Sequence, residues 1–517
     1  SLNLIDVNAP EVSYDGKKIV FAGLPDGNYK SVPHYNPGAW RIYMINVDGT
    51  GLKQITFSDR DDLDLSQFNS VNGFKKYDDT DPVWLPDGRI AFSSTRWPSL
   101  SQYNDERTTN IYSMDEDGSN MKRITSERNG ADRPLVDPLT GQIVYSRWWR
   151  NFRNAANDMS TVKDPIGDGY IQHLGLVAES RSGEYGDAPD AHLGRNSWML
   201  AAINPDGTGL VQFAGVSGIG SSAFSNQAYG GSFAEDGSLF TAFYPMHHIS
   251  EAAGFGGIRH YPRGPEGYTP IIGVADEGSE LVRDNPPSHR VFKGAYAADP
   301  EVLPDGRLLI SWAPDTRQDY GLYTVNPDGS DLTLVYDNPN TSELRGRVVM
   351  PRPIPPIIPD KITNVASLLP PTANGPYDID GTFTFDALNV FFNAPVDVDI
   401  VNALPIGSAG TIRFFIDHQR TSYGFPERLD WPILLDEIAI NPDGSVSTEA
   451  PANVPLFEQI RTSQPDYSVP LTGSTFPAGE NGAAHVAGHN FGRPGDDARC
   501  VGCHAGHTMI PVPVTDE

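Results

Sequence analysis

The stretch "ARCVGCHAGHTMIPVP" (498–513) holds both cysteines of the 517-residue chain, Cys500 and Cys503, and sets His504 directly after the second. Two thiols three residues apart with an imidazole next in line form the pattern C-x-x-C-H. Each thiol can add to one vinyl group of a porphyrin, leaving thioethers at Cys500 and Cys503, while the imidazole of His504 sits beneath the iron as proximal ligand. Three other chemistries compete for the same atoms. A zinc site of Cys500, Cys503, His504 and His507 has suitable donors, but its four ligands would crowd one short segment, whereas ligand pairs in structural sites come from separate elements. A thioredoxin-like dithiol wants a βαβ setting, and none is visible here. A disulfide across so short a loop would be strained and would gain little. Covalent haem c, one per chain, is the leading expectation.

The ligand on the opposite face of the iron is left open by the sequence. His489 is the first candidate, with His485, Met509 and His507 as alternatives and an open position as a further one. His485 and His489 stand far enough from the motif for the chain to reach the far face, and their spacing of four puts them on one side of a helical turn, although Gly488 weakens a helix. Arg493 and Arg499 are candidates to pair with the haem propionates, since a guanidinium fork matches a carboxylate. Ordinary surface charge is the competing reading of both.

Elsewhere the signals are weaker. "DRDDLDL" (59–65) offers Asp59, Asp61, Asp62 and Asp64 to a Ca²⁺ ion, against the alternative of a solvated acidic loop. "SRWWRNFR" (146–153) sets Trp148 and Trp149 among arginines, a contact site or simple packing at a blade edge. His247 and His248 are adjacent, so in a strand they would face opposite ways. No phosphate-binding glycine loop or G-x-S-x-G elbow occurs.

These residues need a scaffold, and a recurring unit supplies one. "APEVSYDGKKIVFAG" (9–23), "DPVWLPDGRIAFSSTR" (81–96), "RPLVDPLTGQIVYSRW" (133–148), "GGSFAEDGSLFTAFYP" (230–245) and "DPEVLPDGRLLISWAP" (299–314) each read as a β-hairpin, most with an Asp-Gly turn. A second hairpin follows four of them, as in "RIYMINVDGTGLKQIT" (41–56), and is blurred after the fourth copy into "GGIRHYPRGPEGYTPIIG". Two hairpins make a four-stranded sheet that cannot bury both faces alone, so the units are expected to stack radially as propeller blades. Five blades are direct, and a sixth is expected from "ELRGRVVMPRP" with strands from a terminus.

The domain division that follows is a propeller over 1–350, a proline-rich stiff linker over 351–362, a small β-sandwich-like domain over 363–475 and a loop or short-helix haem segment over 476–517. Long insertions at 151–194 and 246–264 are candidate contact surfaces.

Composition agrees and excludes. Glycine (51) and proline (44) are frequent enough for a turn-rich all-β chain. With 38 Lys plus Arg against 66 Asp plus Glu the net charge is −28, which repels nucleic acid and favours a basic protein partner. No apolar run is long enough to span a membrane. Haem c is attached outside the cytoplasm, so the expected location is periplasmic or extracellular, with an export signal removed before the first residue.

The blade pattern "PxWxPDGxxIxFxS" resembles TolB-type propellers. The full order of propeller, then "DEIAINPDGSVSTEAPANVPLFEQI" (436–460), then "CVGCH", resembles the hydrazine synthase alpha subunit-like family. That resemblance implies a periplasmic-type haem c protein and, in the enzyme itself, a haem that joins small nitrogen compounds within a multisubunit complex. Only Cys500, Cys503 and His504 match the family's motif. The family's catalytic haem takes a tyrosine after the motif as iron ligand, and no tyrosine follows His504, so synthase activity is not implied. The functions expected are an electron-transfer subunit serving a redox partner, an open-iron enzyme acting on a small nitrogen compound or peroxide, or a propeller scaffold with an accessory haem.

Overall fold

The computed structural model describes residues 3–25, 40–59, 62–66, 74, 76–101, 107–151, 153–154, 161–163, 170–172, 178–179, 195–214, 228–243, 256–263, 268–273, 281–283, 290–292, 294–315, 318–372, 374–391, 409–418, 431–462, 468–471, 474–477 and 483–500. Every regular element among them is a strand. The repeat folds as its turns dictate. In "PDGR" (86–89) the Asp87 carboxylate accepts the Arg89 amide at 3.1 Å and Gly88 takes a φ of +90°, reversing the chain at once. Asp48, Asp117, Asp206 and Asp328 cap the amide two residues on in the same way.

The alternating runs on either side pair into five antiparallel four-stranded blades. Blade 1 is β1 (Leu4–Val12), β2 (Lys18–Pro25), β3 (Arg41–Asn46) and β4 (Lys53–Gln54); blade 2 is β5 (Asp79–Trp84), β6 (Ile90–Ser94), β7 (Asn110–Met114) and β8 (Lys122–Arg123). Blade 3 joins β9 (Ala131–Val136) and β10 (Ile143–Asn151) to β15 (Arg195–Ile203) and β16 (Val211–Ala214). Blade 4 is β17 (Ala228–Phe233), β18 (Leu239–Phe243), β19 (Gly257–Tyr261) and β20 (Thr269–Gly273), so the blurred hairpin folds like the others. Blade 5 is β23 (Tyr296–Val302), β24 (Leu308–Ala313), β25 (Gly321–Val325) and β26 (Thr333–Tyr336). Short pairs complete the account: β11 (Arg153–Asn154) with β14 (Ala178–Glu179), β21 (Leu281–Arg283) with β22 (Arg290–Phe292), and β32 (Ser468–Leu471) with β33 (Ser474–Pro477).

The propeller's cores lie between blades. Val20, Ala22 and Met44 of blade 1 meet Trp84, Phe92 and Met114 of blade 2, and comparable clusters join blades 2 to 3, 3 to 4 and 4 to 5. Close backbone approach sets the spacing. A Cβ on Gly118 would lie 2.5 Å from the Ile55 carbonyl oxygen of the blade before it, and one on Gly207 would lie 2.5 Å from that of Ile124. Gly49, the equivalent turn glycine of blade 1, faces open space.

The junction of blades 5 and 1 is built differently. Among the described residues the expected sixth blade does not form, and residues 341–352 cross between blades 5 and 1 without any strand. Three arginines of that segment are the physical reason, since they are drawn to carboxylates on both walls. Arg345 pairs with Asp81 and Asp299, Arg347 lies 3.4 Å from Glu11 and 3.3 Å from Glu301, and Arg352 pairs with Glu11. The proline-rich stretch that follows is a strap laid across the turns. The Asp360 carboxylate receives both Arg89 Nη1 at 3.0 Å and Arg89 Nη2 at 2.8 Å, and the Lys361 amide donates to Asp206 at 2.7 Å.

Beyond the strap two sheets form a small sandwich. One runs β13 (Tyr170–Gln172), β12 (Thr161–Lys163), β29 (Trp431–Ala439), β28 (Ala409–His418), β31 (Leu456–Thr462), β34 (Ala483–Asn490); the other runs β30 (Val446–Pro451), β27 (Thr382–Ala387), β35 (Asp497–Cys500). Phe385 of β27 meets Phe414 of β28 edge-on at 5.1 Å inside a core shared by both sheets. Strands β12 and β13 come from the insertion in blade 3, which therefore reaches across and extends the sandwich sheet.

Alanine substitutions separate the two demands on the turn glycines. Gly49→Ala should cost about 1–2 kcal/mol for its positive φ alone. Gly118→Ala should cost about 1–3 kcal/mol more, because its methyl group must displace the Ile55 carbonyl. Urea unfolding of the two variants measures the difference, and equal losses would contradict the blade contact.

Candidate functional site

The first thiol sits on a sheet strand. β35 runs parallel to β27 with Cys500 opposite Ala387 and Arg499 opposite Asp386, and Ala498, just before them and opposite Phe385, is buried in the sandwich core. Cys503, His504, His507 and Met509 lie outside the described residues. His485 and His489 were expected on a helical turn and instead occupy β34, at the edge of the other sheet, opposite Ile460 and Phe457. β31 offers this segment a ladder of backbone hydrogen bonds, and that tertiary partner overrides the helical spacing. The haem segment thus begins as two strands of the sandwich rather than as a loop or short helix.

The two arginines part company. Arg499 Nε lies 3.6 Å from the Asp386 carboxylate with both side chains partly exposed, one position before Cys500 on the strand. Arg493 is 1% exposed and belongs to the fold. It donates to the carbonyls of Asp206 (3.1 Å) and Asn364 (2.8 Å), to Asn453 Oδ1 (2.7 Å) and to the Arg123 carbonyl (3.4 Å). A guanidinium so enclosed has no direction left for a propionate, which corrects the expectation for Arg493. Cys500 on a paired strand, as the first thiol of the C-x-x-C-H donor set, fits thioether attachment of a porphyrin.

A buried charge network joins the propeller to these strands. Glu127 Oε1 accepts the Tyr145 hydroxyl at 2.7 Å and Glu127 Oε2 accepts Arg147 Nε at 2.9 Å, all three residues being buried in the propeller. Across the interface Glu458 of β31 accepts Asn490 Nδ2 of β34 at 3.4 Å. Burial pushes the Glu458 carboxyl up to about 7, with the Asn490 hydrogen bond and the Arg147 charge opposing. One strand away from the histidines there is thus a carboxyl that changes charge near neutral pH.

The propeller axis holds a group that sequence reasoning missed. Ala9, Asp81, Arg133 and Asp299 occupy equivalent places in four blades, each precedes a proline, and each has a φ near +50° at a break in strand register. The bulge re-aims the charged members into the axis, where Arg133 Nη1 meets Asp299 at 2.6 Å and Arg345 closes onto Asp81. Burial acts to raise Asp81, but the guanidiniums of Arg345 and Arg133 outweigh it and hold the carboxyl below the usual range. Asp132 accepts the Tyr229 hydroxyl at 3.1 Å and is pushed up to about 6 by burial. The recurring X-Pro at the head of the copies was the available signal. The cluster is an ionic plug that ties non-adjacent blades together.

The weaker candidates resolve in part. Asp59 Oδ1 accepts the Tyr77 hydroxyl at 2.7 Å and Oδ2 accepts Arg96 at 2.9 Å, which draws it into the propeller, and Asp64 accepts the Ser66 amide. Asp61, His247 and His248 lie outside the described residues. Among the described residues no three His, Cys, Asp or Glu side chains come together as metal ligands. Trp148 packs on Trp198 at 5.5 Å, which in turn meets Tyr229 at 4.8 Å, so the Trp148 reading as packing holds.

Two measurements test the assignments. Arg493→Leu leaves three buried acceptors, on Asp206, Arg123 and Asn453, without this donor and should cost about 2–4 kcal/mol in chemical denaturation, against about 0.5 kcal/mol or less for Arg499→Leu. Glu458 binds its proton more tightly folded than unfolded, so its contribution to stability is complete below its ordinary value of 4.5 and is lost as pH rises through about 7. Glu458→Gln should flatten the decline in stability across that window, and an unchanged pH profile would contradict the burial of an ionising carboxyl.

No family model matches the sequence, and no curated protein matches it. Among solved structures, hydrazine synthase from Kuenenia stuttgartiensis superposes with a TM-score of 0.63 at 17% identity, covering 98% of this chain and 64% of that chain. TolB from Acinetobacter baumannii aligns over 63% of this chain and 52% of its own at 14% identity, with a TM-score of 0.28 too low to carry an argument. The chain spans just under two thirds of the hydrazine synthase chain. What it shares with that enzyme is the fold: an all-β chain of stacked four-stranded sheets with a second β unit.

Proposed function

We propose that this chain is an exported mono-haem c-type cytochrome whose propeller and sandwich present the haem to a protein redox partner, acting as an electron-transfer subunit of a larger complex. The observation that supports it most is the C-x-x-C-H motif launched from β35, because Cys500 is fixed by the sheet register and the motif follows at once. A haem bound there would supply a one-electron carrier. Cys500 and Cys503 would hold it through thioethers, His504 would face the iron, and Arg499 would meet a propionate. His489, with His485 as alternative, would be the second iron ligand, and both stand on β34 in the other sheet of the sandwich. A net charge of −28 favours a basic partner. Among the described residues no helix is long and apolar enough to cross a membrane.

The likeness to hydrazine synthase supports a second reading, in which one iron position stays open and acts on a small nitrogen compound or peroxide. Expression with a haem c maturation system, followed by a pyridine haemochrome assay, tests both. The expected result is a covalently bound haem, lost in Cys500→Ala and Cys503→Ala, with a low-spin spectrum unmoved by carbon monoxide. His489→Ala should convert it to a high-spin form that binds carbon monoxide, and His485→Ala should not. A high-spin wild type would select the second reading. Absence of a Soret band, with zinc in the purified protein, would overturn both.

A further inference from the structure

The outermost strand of blade 5 is an edge without protection. β26 ends its sheet, and no described strand pairs with its outer side. Its residues Leu334, Val335 and Tyr336 are 54%, 55% and 56% exposed. Edge strands in soluble proteins are normally blunted by charge, as in Lys53–Gln54 and Lys122–Arg123 of blades 1 and 2, while in blades 3 and 4 the apolar residues Val211, Phe213, Ile271 and Ile272 of the corresponding strands are buried or half-buried. Three consecutive large apolar residues on a free edge break that rule. The strand also borders the gap where no sixth blade forms, since Tyr336 lies opposite Leu322, and the chain crossing the gap packs Gly346 against Leu322. Leu344, at the start of that crossing, is exposed as well.

Charge says what would cover the edge. Residues 318–344 contain Asp319, Asp328, Asp331, Asp337 and Glu343 and no lysine or arginine. A second copy pairing antiparallel through β26 would set Asp331 of one chain beside Asp337 of the other, which repels. A segment with basic residues meets no such penalty. We propose that β26 is a strand-addition site that takes an extended segment of a partner protein in which apolar residues alternate with basic ones. Backbone hydrogen bonds along the free edge would supply affinity, Leu334 and Tyr336 the apolar contacts, and the acidic rim the choice of partner.

The test uses the full chain and two short fluorescent peptides, one alternating valine with lysine and one alternating valine with glutamate. The basic peptide should bind and the acidic one should not. Leu334→Ser with Tyr336→Ser, both on exposed side chains, removes the apolar contacts without adding charge and should weaken binding about tenfold or more. Hydrogen exchange should show protection gained over 333–336 on binding, while the inner strands stay unchanged. No binding of the basic peptide up to about 1 mM would overturn the proposal. So would equal binding of both peptides, protection elsewhere, or a dimer in sedimentation that the double variant dissolves.

Discussion

The close seating of a turn glycine on the carbonyl of the blade before it is the contact on which the propeller depends. Gly118 and Gly207 lie so near Ile55 and Ile124 that a methyl group has no room, and Gly329 meets Ile271 in the same way. Blades 2, 3 and 5 are therefore placed by their predecessors at backbone distance, and the interblade clusters of Val, Ile, Phe and Tyr fill what that spacing leaves. The rule fails at blade 1. Gly49 of blade 1 faces open space, so the last junction must be held by other means. Arg345, Arg347 and Arg352 do this with side chains long enough to reach both walls, and the axial ion pairs follow from their presence.

What was legible in the sequence was what repeats locally. Asp-Gly turns between alternating runs gave five blades, because a two-residue reversal and a period of two are properties of neighbouring residues. The sixth blade was misread for the same reason. "RGRVVM" has the β-branched residues of a strand, and nothing local says that its arginines will be drawn apart to Asp81, Asp299, Glu11 and Glu301. Arg493 is the sharper case. A lone cation in a loop reads as surface, yet its acceptors come from residues 123, 206, 364 and 453, which only the assembled fold brings together.

The candidate site shows the same division. Cys500, Cys503 and His504 could be named from their spacing alone, since the chemistry is contained in five consecutive residues. The strand that carries Cys500 could not, because β35 pairs in parallel with β27, whose residues lie more than a hundred positions earlier. His485 and His489 have a spacing compatible with either element, and β31 decided it. Nor could the spacing show that the insertion in blade 3 sends β12 across to pair with β29 of the sandwich.

That crossing, the Arg493 clamp and the charges around Glu458 all act on the same boundary, and this bears on how a redox group at the sandwich would feel the propeller. Arg493 ties the turn after β34 to blades 2 and 3 through Arg123 and Asp206, so the two strands that flank it, β34 and β35, cannot shift independently of those blades. Arg147 of blade 3 acts on Glu458, and Glu458 on Asn490 at the end of β34. Fixed guanidiniums in the propeller, buried where water screens them poorly, therefore favour a negative charge on the sandwich and disfavour a positive one. The propeller is in that sense the electrostatic wall of the site as well as its support.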